Sequence, residues 1–378
     1  MDTTIFHFKL TPEEADHLEH YKIQTRDESI INNKINIPYF FIPINNIIPK
    51  WVVPNMITLS GNIMPIIAFT LMTILYPDYS QPLPAWMSIF NSFSILWFWI
   101  ADSCDGIRAR SSGICSPIGD WLDHSLDNVT YFCFVGFLDH MFLCNSVIKD
   151  MLIVLFMVYT SYCVQIQAIY THAINLGIIN ASCEGIMGFI GLIFLGAFIP
   201  FYEFKLFGIP VFQLILPIIG GLLVIHTLVM IKGIKNDFPD KPEYIKESVE
   251  MLINSMVCVF VGIIFYYSFC NEFTTTNYIF NNLWIYFCSL IYVNMIIQSR
   301  LFGRDIPKLY NMKFLISLLT PIIFICFCSF TTSVIIGAIV SGVVMWTDWI
   351  ATLLSMLDGL HLKLFQHEPT RFAPKKKN

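Results

Sequence analysis

The stretch Ala101-Asp-Ser-Cys-Asp-Gly-Ile-Arg-Ala-Arg110, followed by Gly119-Asp-Trp-Leu-Asp-His-Ser-Leu-Asp127, sets the carboxylates of Asp102, Asp105, Asp123 and Asp127 beside long apolar runs on either side. A carboxylate at membrane depth costs several kcal/mol unless something neutralises it, so the cluster demands cations. At about 100° per residue, Asp102, Asp105, Gly106, Ala109 and Arg110 fall within roughly 140° of one helical face. Gly119, Asp123 and Asp127 recur at every fourth residue, again on one face. Two such helices facing each other make a cage of oxygen ligands, with bare backbone at Gly106 and Gly119 where a flat ligand can approach closely. His124 stands on the flank of the second face. Asp120, one turn earlier, is placed to hydrogen-bond the imidazole and hold it in one orientation.

The donor set narrows the chemistry. Hard carboxylate oxygens suit Mg²⁺ or Mn²⁺ and argue against zinc, for which thiolate and imidazole ligands are expected. Two such ions close together can clamp a pyrophosphate, and Arg110 can add a bidentate contact to a phosphate oxygen.

Working outward, the chain of 378 residues is 56% hydrophobic and 13% charged, against about 25% charged in soluble domains. The expectation is an all-α, polytopic integral membrane protein. The net charge of −5 comes with no long basic stripe, so nothing points to nucleic acid. The 11 cysteines lie mostly inside apolar runs, and Cys326 and Cys328 lack the paired spacing of a zinc site. No cleaved signal peptide is apparent at the start. Thr11-Pro-Glu-Glu-Ala opens a short helix, with Pro at its first position and acidic residues in its first turn. Residues 35–48 are apolar but broken by Pro38, Pro43, Asn45 and Asn46, and read as an interfacial segment on the cytosolic leaflet.

Ten runs of roughly spanning length follow, near 55–76, 83–104, 122–144, 150–172, 184–203, 208–231, 249–270, 278–299, 313–330 and 333–356. With the N-terminus in the cytosol, every Lys and Arg except Lys149 and Lys205 falls on the cytosolic side, which puts the carboxylate cage there too. The organisation read from these runs is an N-terminal region (1–54), a six-helix unit (55–231), a linker (232–248), a four-helix unit (249–356) and a cytosolic tail (357–378). The tail ends Lys375-Lys376-Lys377-Asn378, in which Lys375 and Lys376 look like a dilysine retrieval signal of the endoplasmic reticulum.

Written as Asp-x2-Asp-Gly-x2-Ala-Arg-x8-Gly-x3-Asp-x3-Asp, the opening stretch resembles the signature of the CDP-alcohol phosphotransferases at every fixed position. His124, after the third aspartate, and Pro54-Asn55-Met-Ile-Thr58 make it similar to the eukaryotic choline and ethanolamine phosphotransferases. In one place the chain departs from them: position 120 is commonly Glu there and is the shorter Asp here. The resemblance implies metal ligation by Asp102, Asp105, Asp123 and Asp127, and a CDP-choline or CDP-ethanolamine substrate held by Asn55, Gly106, Ala109, Arg110 and Gly119. It further implies His124, supported by Asp120, as base toward diacylglycerol, a homodimer, and residence in the endoplasmic reticulum or Golgi.

Alternatives stand beside this. Glu184 can face the substrate ammonium or cap a helix start. Asp348 can line a lipid path or join two helices. The sequons at Asn128 and Asn180 fall in a helix and on the cytosolic side, so neither is expected to carry glycan. A phosphatidylinositol or phosphatidylglycerol phosphate synthase uses the same cage, and an ion-coupled transporter would use carboxylates differently.

Overall fold

In the computed structural model, the described residues are 9–22, 24–143, 147–177, 181–271 and 274–372. Asn180 and Lys375 to Lys377 lie outside them. The chain opens with α1 (Pro12–Glu19), β1 (Gln24–Asp27), a π-helical stretch (Asn32–Phe41) and α2 (Ile42–Ile47). The long helices α3 (Pro54–Leu75), α4 (Ala85–Ser112), α5 (Pro117–Met141) and α6 (Val147–Thr171) follow, then β2 (Ala173–Leu176) and α7 (Ile186–Leu195). Two-residue strands β3 (Lys205–Leu206) and β4 (Ile209–Pro210) precede α8 (Val211–Asp237), α9 (Pro242–Phe269), α10 (Thr275–Phe302), α11 (Met312–Phe324) and α12 (Phe330–Leu360).

A helix covers part of each apolar run read from the sequence. Among the described residues, α3, α9, α10 and α12 are long and apolar enough to cross a membrane, which makes the chain an integral membrane protein. The runs 184–203 and 313–330 depart from expectation. Their helices, α7 and α11, hold 10 and 13 residues, about 15–20 Å at 1.5 Å per residue against a hydrocarbon core of about 30 Å. The all-α expectation also needs amending, since β1 pairs in parallel with β2 from Gln24↔Ala173 to Asp27↔Leu176, and β3 pairs with β4. Backbone groups in connections have no helix to satisfy them, and pairing does so instead.

The expected linker is also shorter than charge and proline suggest. Helices α8 and α9 both run into it, leaving 238–241 between them.

Local signals set the helix ends that matter for the site. Thr11 and Glu14 form a reciprocal capping box at α1. Helix α4 stops at Gly113, whose φ of 74° is the left-handed conformation that glycine adopts without strain. Ser116 then caps α5 by accepting from the Gly119 N–H at 3.1 Å, with Pro117 at the first helical position.

Packing divides into two apolar clusters. One gathers α3, α4 and α7 with Phe134 and Phe137 of α5, and the other gathers α6 and α8 to α12 with Trp121, Leu122 and Leu126 of α5. Helix α5 is therefore the wedge shared by both, and α10 runs through the larger cluster with nearly all its side chains buried. Helix α1 rests on the end of α10, where His17 Nδ1 meets the Leu301 carbonyl at 2.8 Å and Glu14 accepts from Arg304 at 2.6 Å.

Candidate active site

Helix α3 crosses α4 closely. A Cβ on Gly61 would stand 2.7 Å from that of Ala101, so this contact requires a glycine. The close approach lets the Thr58 hydroxyl donate to Asp105 Oδ2 at 2.5 Å. The next turn of α3 ties to α5, where Thr130 donates to Asn62 Oδ1 at 2.5 Å while the Asn62 amide returns to the Thr58 carbonyl at 3.0 Å. This ladder of buried polar groups sets α4 and α5 at fixed positions about α3.

The carboxylates meet in the resulting angle. Asp102 lies within hydrogen-bonding reach of Asp123 and Asp127, and Asp123 feels the charges of Asp105, Asp127, Asp102 and Asp120. Ligand atoms of Asp123, His124 and Asp127 lie within 4.8 Å of one another, a group able to hold a metal ion. Asp105 and Asp127 are 6% and 8% exposed, and one oxygen each of Asp123 and Asp127 is buried without a hydrogen-bond partner among the described residues. Two carboxylates 4 Å apart repel by about 4 kcal/mol at an effective dielectric of 20. Unpaired buried oxygens in such a cluster fit a hard divalent cation, and the oxygen-rich donor set is of the same kind. The tightest group differs from the expected ligand set, since it takes in His124, while Asp105 spends one oxygen on Thr58.

Asp120 sits behind His124. One of its oxygens is 3.4 Å from His124 Nε2, and the other accepts from Tyr21 at 3.0 Å and from Arg300 at 2.5 Å. The shorter side chain at this position therefore still reaches the imidazole. Sequence reading missed Arg300 and Tyr21. Arg300 was visible as a cation closing an apolar helix, but its pairing spans 180 positions and depends on α10 packing beside α5. Its side chain is 1% exposed, and Nε and Nη1 are buried without a partner.

The remaining expected residues divide between the cage and its surroundings. Arg110 is exposed, its guanidinium lies over Gly106, and its charge acts on Asp105. Half-buried Ala109 precedes it on the same helix. The Asn55 Oδ1 stands 3.4 Å from where a Cβ on Gly119 would be, while its amide donates to the Leu364 carbonyl of the tail at 2.6 Å. Asn55 thus stands at one end of the cage together with a tail segment that no motif announced. Glu184 accepts from Ser29 at 2.5 Å, among groups next to β1. Asp348 is an interhelical junction, ion-paired with Lys313 and accepting from Asn294 at 2.6 Å and Gln298 at 2.9 Å. Asn128 is 1% exposed and donates to the His124 carbonyl.

Comparison with known proteins agrees with this geometry. Residues 51–231 match the family model described as CDP-alcohol phosphatidyltransferase. Cholinephosphotransferase 1 of Saccharomyces cerevisiae is 33% identical over 114 residues, 30% of this chain and 28% of the relative. Choline/ethanolaminephosphotransferase 1 of the same yeast is 27% identical over 178 residues, 46% of this chain and 44% of the relative. CDP-diacylglycerol–serine O-phosphatidyltransferase of Encephalitozoon cuniculi is 27% identical over 179 residues, 47% of this chain and 46% of the relative. In each case the chain spans less than half the length of the relative it matches. The region that matches the CDP-alcohol phosphatidyltransferase family model encloses α3 to α5 and every carboxylate of the cage.

Proposed function

We propose that the protein transfers phosphocholine or phosphoethanolamine from CDP-choline or CDP-ethanolamine to diacylglycerol, releasing CMP and forming phosphatidylcholine or phosphatidylethanolamine. The observation that carries this reading is the convergence of Asp102, Asp105, Asp123 and Asp127 from consecutive helices, with buried oxygens of Asp123 and Asp127 left unpaired.

Asp102, Asp105, Asp123 and Asp127 would hold two Mg²⁺ or Mn²⁺ ions, which when bound orient a diphosphate and offset the charge growing on the leaving phosphate. Arg110 swings from above Gly106 to make a two-pronged contact with a phosphate oxygen. Cytidine then lies on the bare backbone of Gly106 and Gly119, beside Ala109, with Asn55 at its edge. His124, oriented by Asp120, takes the proton of the diacylglycerol hydroxyl. The freed oxygen attacks the phosphorus that bears the amino alcohol, and the bond from that phosphorus to the CMP oxygen breaks. Glu184 is the candidate carboxylate for the substrate ammonium.

The same reading keeps ten apolar segments in the bilayer, with α7 and α11 too short to cross it alone, divided after residue 231 into a catalytic unit and a four-helix unit. Both ends and the cage are cytosolic, in a homodimer of the endoplasmic reticulum. Support comes from the charge asymmetry and from a reaction joining a water-soluble donor to a lipid acceptor, which belongs at a membrane surface.

A second reading draws on the Encephalitozoon cuniculi relative, whose name assigns it the transfer of a phosphatidyl group from CDP-diacylglycerol to serine. The same cage would serve, with the lipid on the nucleotide instead of on the acceptor. One assay separates the readings. Purified full-length protein in detergent receives Mg²⁺ or Mn²⁺ with diacylglycerol and each CDP-amino alcohol in turn, or with CDP-diacylglycerol and serine, and CMP is measured. Metal-dependent CMP from the first pairs is expected. CMP from the last pair alone moves the assignment to the second reading, and none from any pair overturns both.

A further inference from the structure

Helix α4 carries two arginines two positions apart, Arg108 and Arg110. They point about 200° apart around the axis, so Arg108 faces away from the carboxylates. Its Nη2 donates to the backbone carbonyls of Asn45 (3.3 Å), Ile48 (2.6 Å) and Pro49 (3.4 Å), which dock the N-terminal segment but supply no counter-charge. Its Nε is buried without a partner.

Beside Arg108 opens a cavity of about 280 Å³, whose lining includes Lys50, Ser112, His367 and the start of α3 at Val53 and Pro54. Among the described residues, the lining holds two permanent cations and an imidazole, and no Asp or Glu. Helix α3 enters it with no side-chain cap and no acidic residue in its first turn, so the positive end of its dipole adds to the same field. Trp51, between the lining residues Lys50 and Val52, is 67% accessible, and Ile47, three residues before Lys50, is 82% accessible. That pairing of a basic recess with an apolar and aromatic rim fits a membrane–water boundary.

We propose that this cavity is a phosphate site, distinct from the carboxylate cage, that takes the headgroup of an anionic phospholipid from the surrounding leaflet. Three features select phosphate: concentrated positive charge, an uncapped helix start and the absence of a competing carboxylate. The volume falls just below the range of about 300–1,000 Å³ usual for whole small-molecule ligands, which suits a headgroup better than a CDP-alcohol. The apolar rim selects the lipid source over free phosphate, because only a lipid brings acyl chains to cover Trp51 and Ile47. His367 belongs to the tail segment that gives its Leu364 carbonyl to Asn55, so a headgroup held here also pins the cover of the cage.

The test uses the full chain in nanodiscs of phosphatidylcholine carrying graded phosphatidic acid, with retained lipid counted by native mass spectrometry after detergent release. Wild-type protein should keep one phosphatidic acid, and the double variant Lys50→Gln/His367→Gln should keep it at least about fivefold less well, the factor for one lysine lost near an anionic surface. Arg108 stays unchanged because it anchors the N-terminal segment, and the elution profile of the variant on gel filtration confirms folding. In a second arm, glycerol 3-phosphate and inorganic phosphate compete in solution. Failure of both at millimolar concentration supports the lipid, whereas displacement by either overturns the lipid source and leaves a free-phosphate site. Equal retention by variant and wild type overturns the site altogether. Neither arm measures CMP, so the outcome is independent of the proposed reaction.

Discussion

Two buried acidic places in this molecule invite comparison. Around Asp348, α10, α11 and α12 bring Asn294, Gln298 and Lys313 onto one carboxylate, so both of its oxygens are satisfied within the protein. Around Asp123 and Asp127, α4 and α5 bring more carboxylates, and oxygens remain buried with no partner. Both places cost desolvation, but only the first repays it from the chain itself. A carboxylate that the fold has already paired joins helices, and a group of carboxylates that the fold leaves unpaired is built for something from outside.

The sharpest way to break this contrast is to substitute at the cage. Asp123→Asn or Asp127→Asn should lower CMP release on the order of 10³-fold by removing charge that the transferring phosphate depends on through the cation, while leaving thermal stability in chelator unchanged or higher, because repulsion falls. A large loss of stability would show that these groups hold the fold as Asp348 does. Next in size is the response to metal. Mg²⁺ or Mn²⁺ at about 100 times its dissociation constant should stabilise the folded protein by about 2.7 kcal/mol, read as a raised melting temperature that EDTA reverses and Asp123→Asn abolishes. An equal rise in that variant would place the ions elsewhere.

Arg300 lies between the two cases, since it reaches from the α10 side of the molecule to Asp120. Arg300→Gln should reduce kcat by about 10–100-fold, the usual cost of losing an outer partner that orients a site residue, with the KM for the CDP-alcohol little changed. Arg300→Lys should recover part of the loss. A change confined to KM would mean that Arg300 meets the nucleotide instead of positioning His124 through Asp120. The smallest effect is expected at the satisfied carboxylate. Asp348→Ala should cost about 1–3 kcal/mol of stability, at the low end of a broken buried pair because Lys313 is 52% exposed and can turn to water. CMP release measured below the melting temperature should stay within a few-fold of wild type.

The cage was readable because its information is local. Helical period alone places Asp102 and Asp105 on one face and Asp123 and Asp127 on another, whatever surrounds them. Apolar run length located the helices equally well, yet it overestimated α7 and α11, because hydropathy continues through residues that turn at 196–199 and 325–328. Arg108 and Arg110 are alike in sequence, and phase around α4 separates one toward the cage and the other toward the N-terminal segment.

What the linear chain settled is therefore which acidic groups stand beside apolar runs and on which face of which helix, since both follow from spacing along a regular helix. Only the folded molecule decided which charges are answered. Arg300 meets Asp120, Leu364 meets Asn55, Lys313 meets Asp348, and Asp123 and Asp127 keep unanswered oxygens, across separations of up to 309 positions. Those pairings depend on how α5 wedges between two apolar clusters and on where the tail comes to rest. Packing of that kind sums many weak contacts over the whole molecule, and no short stretch contains it.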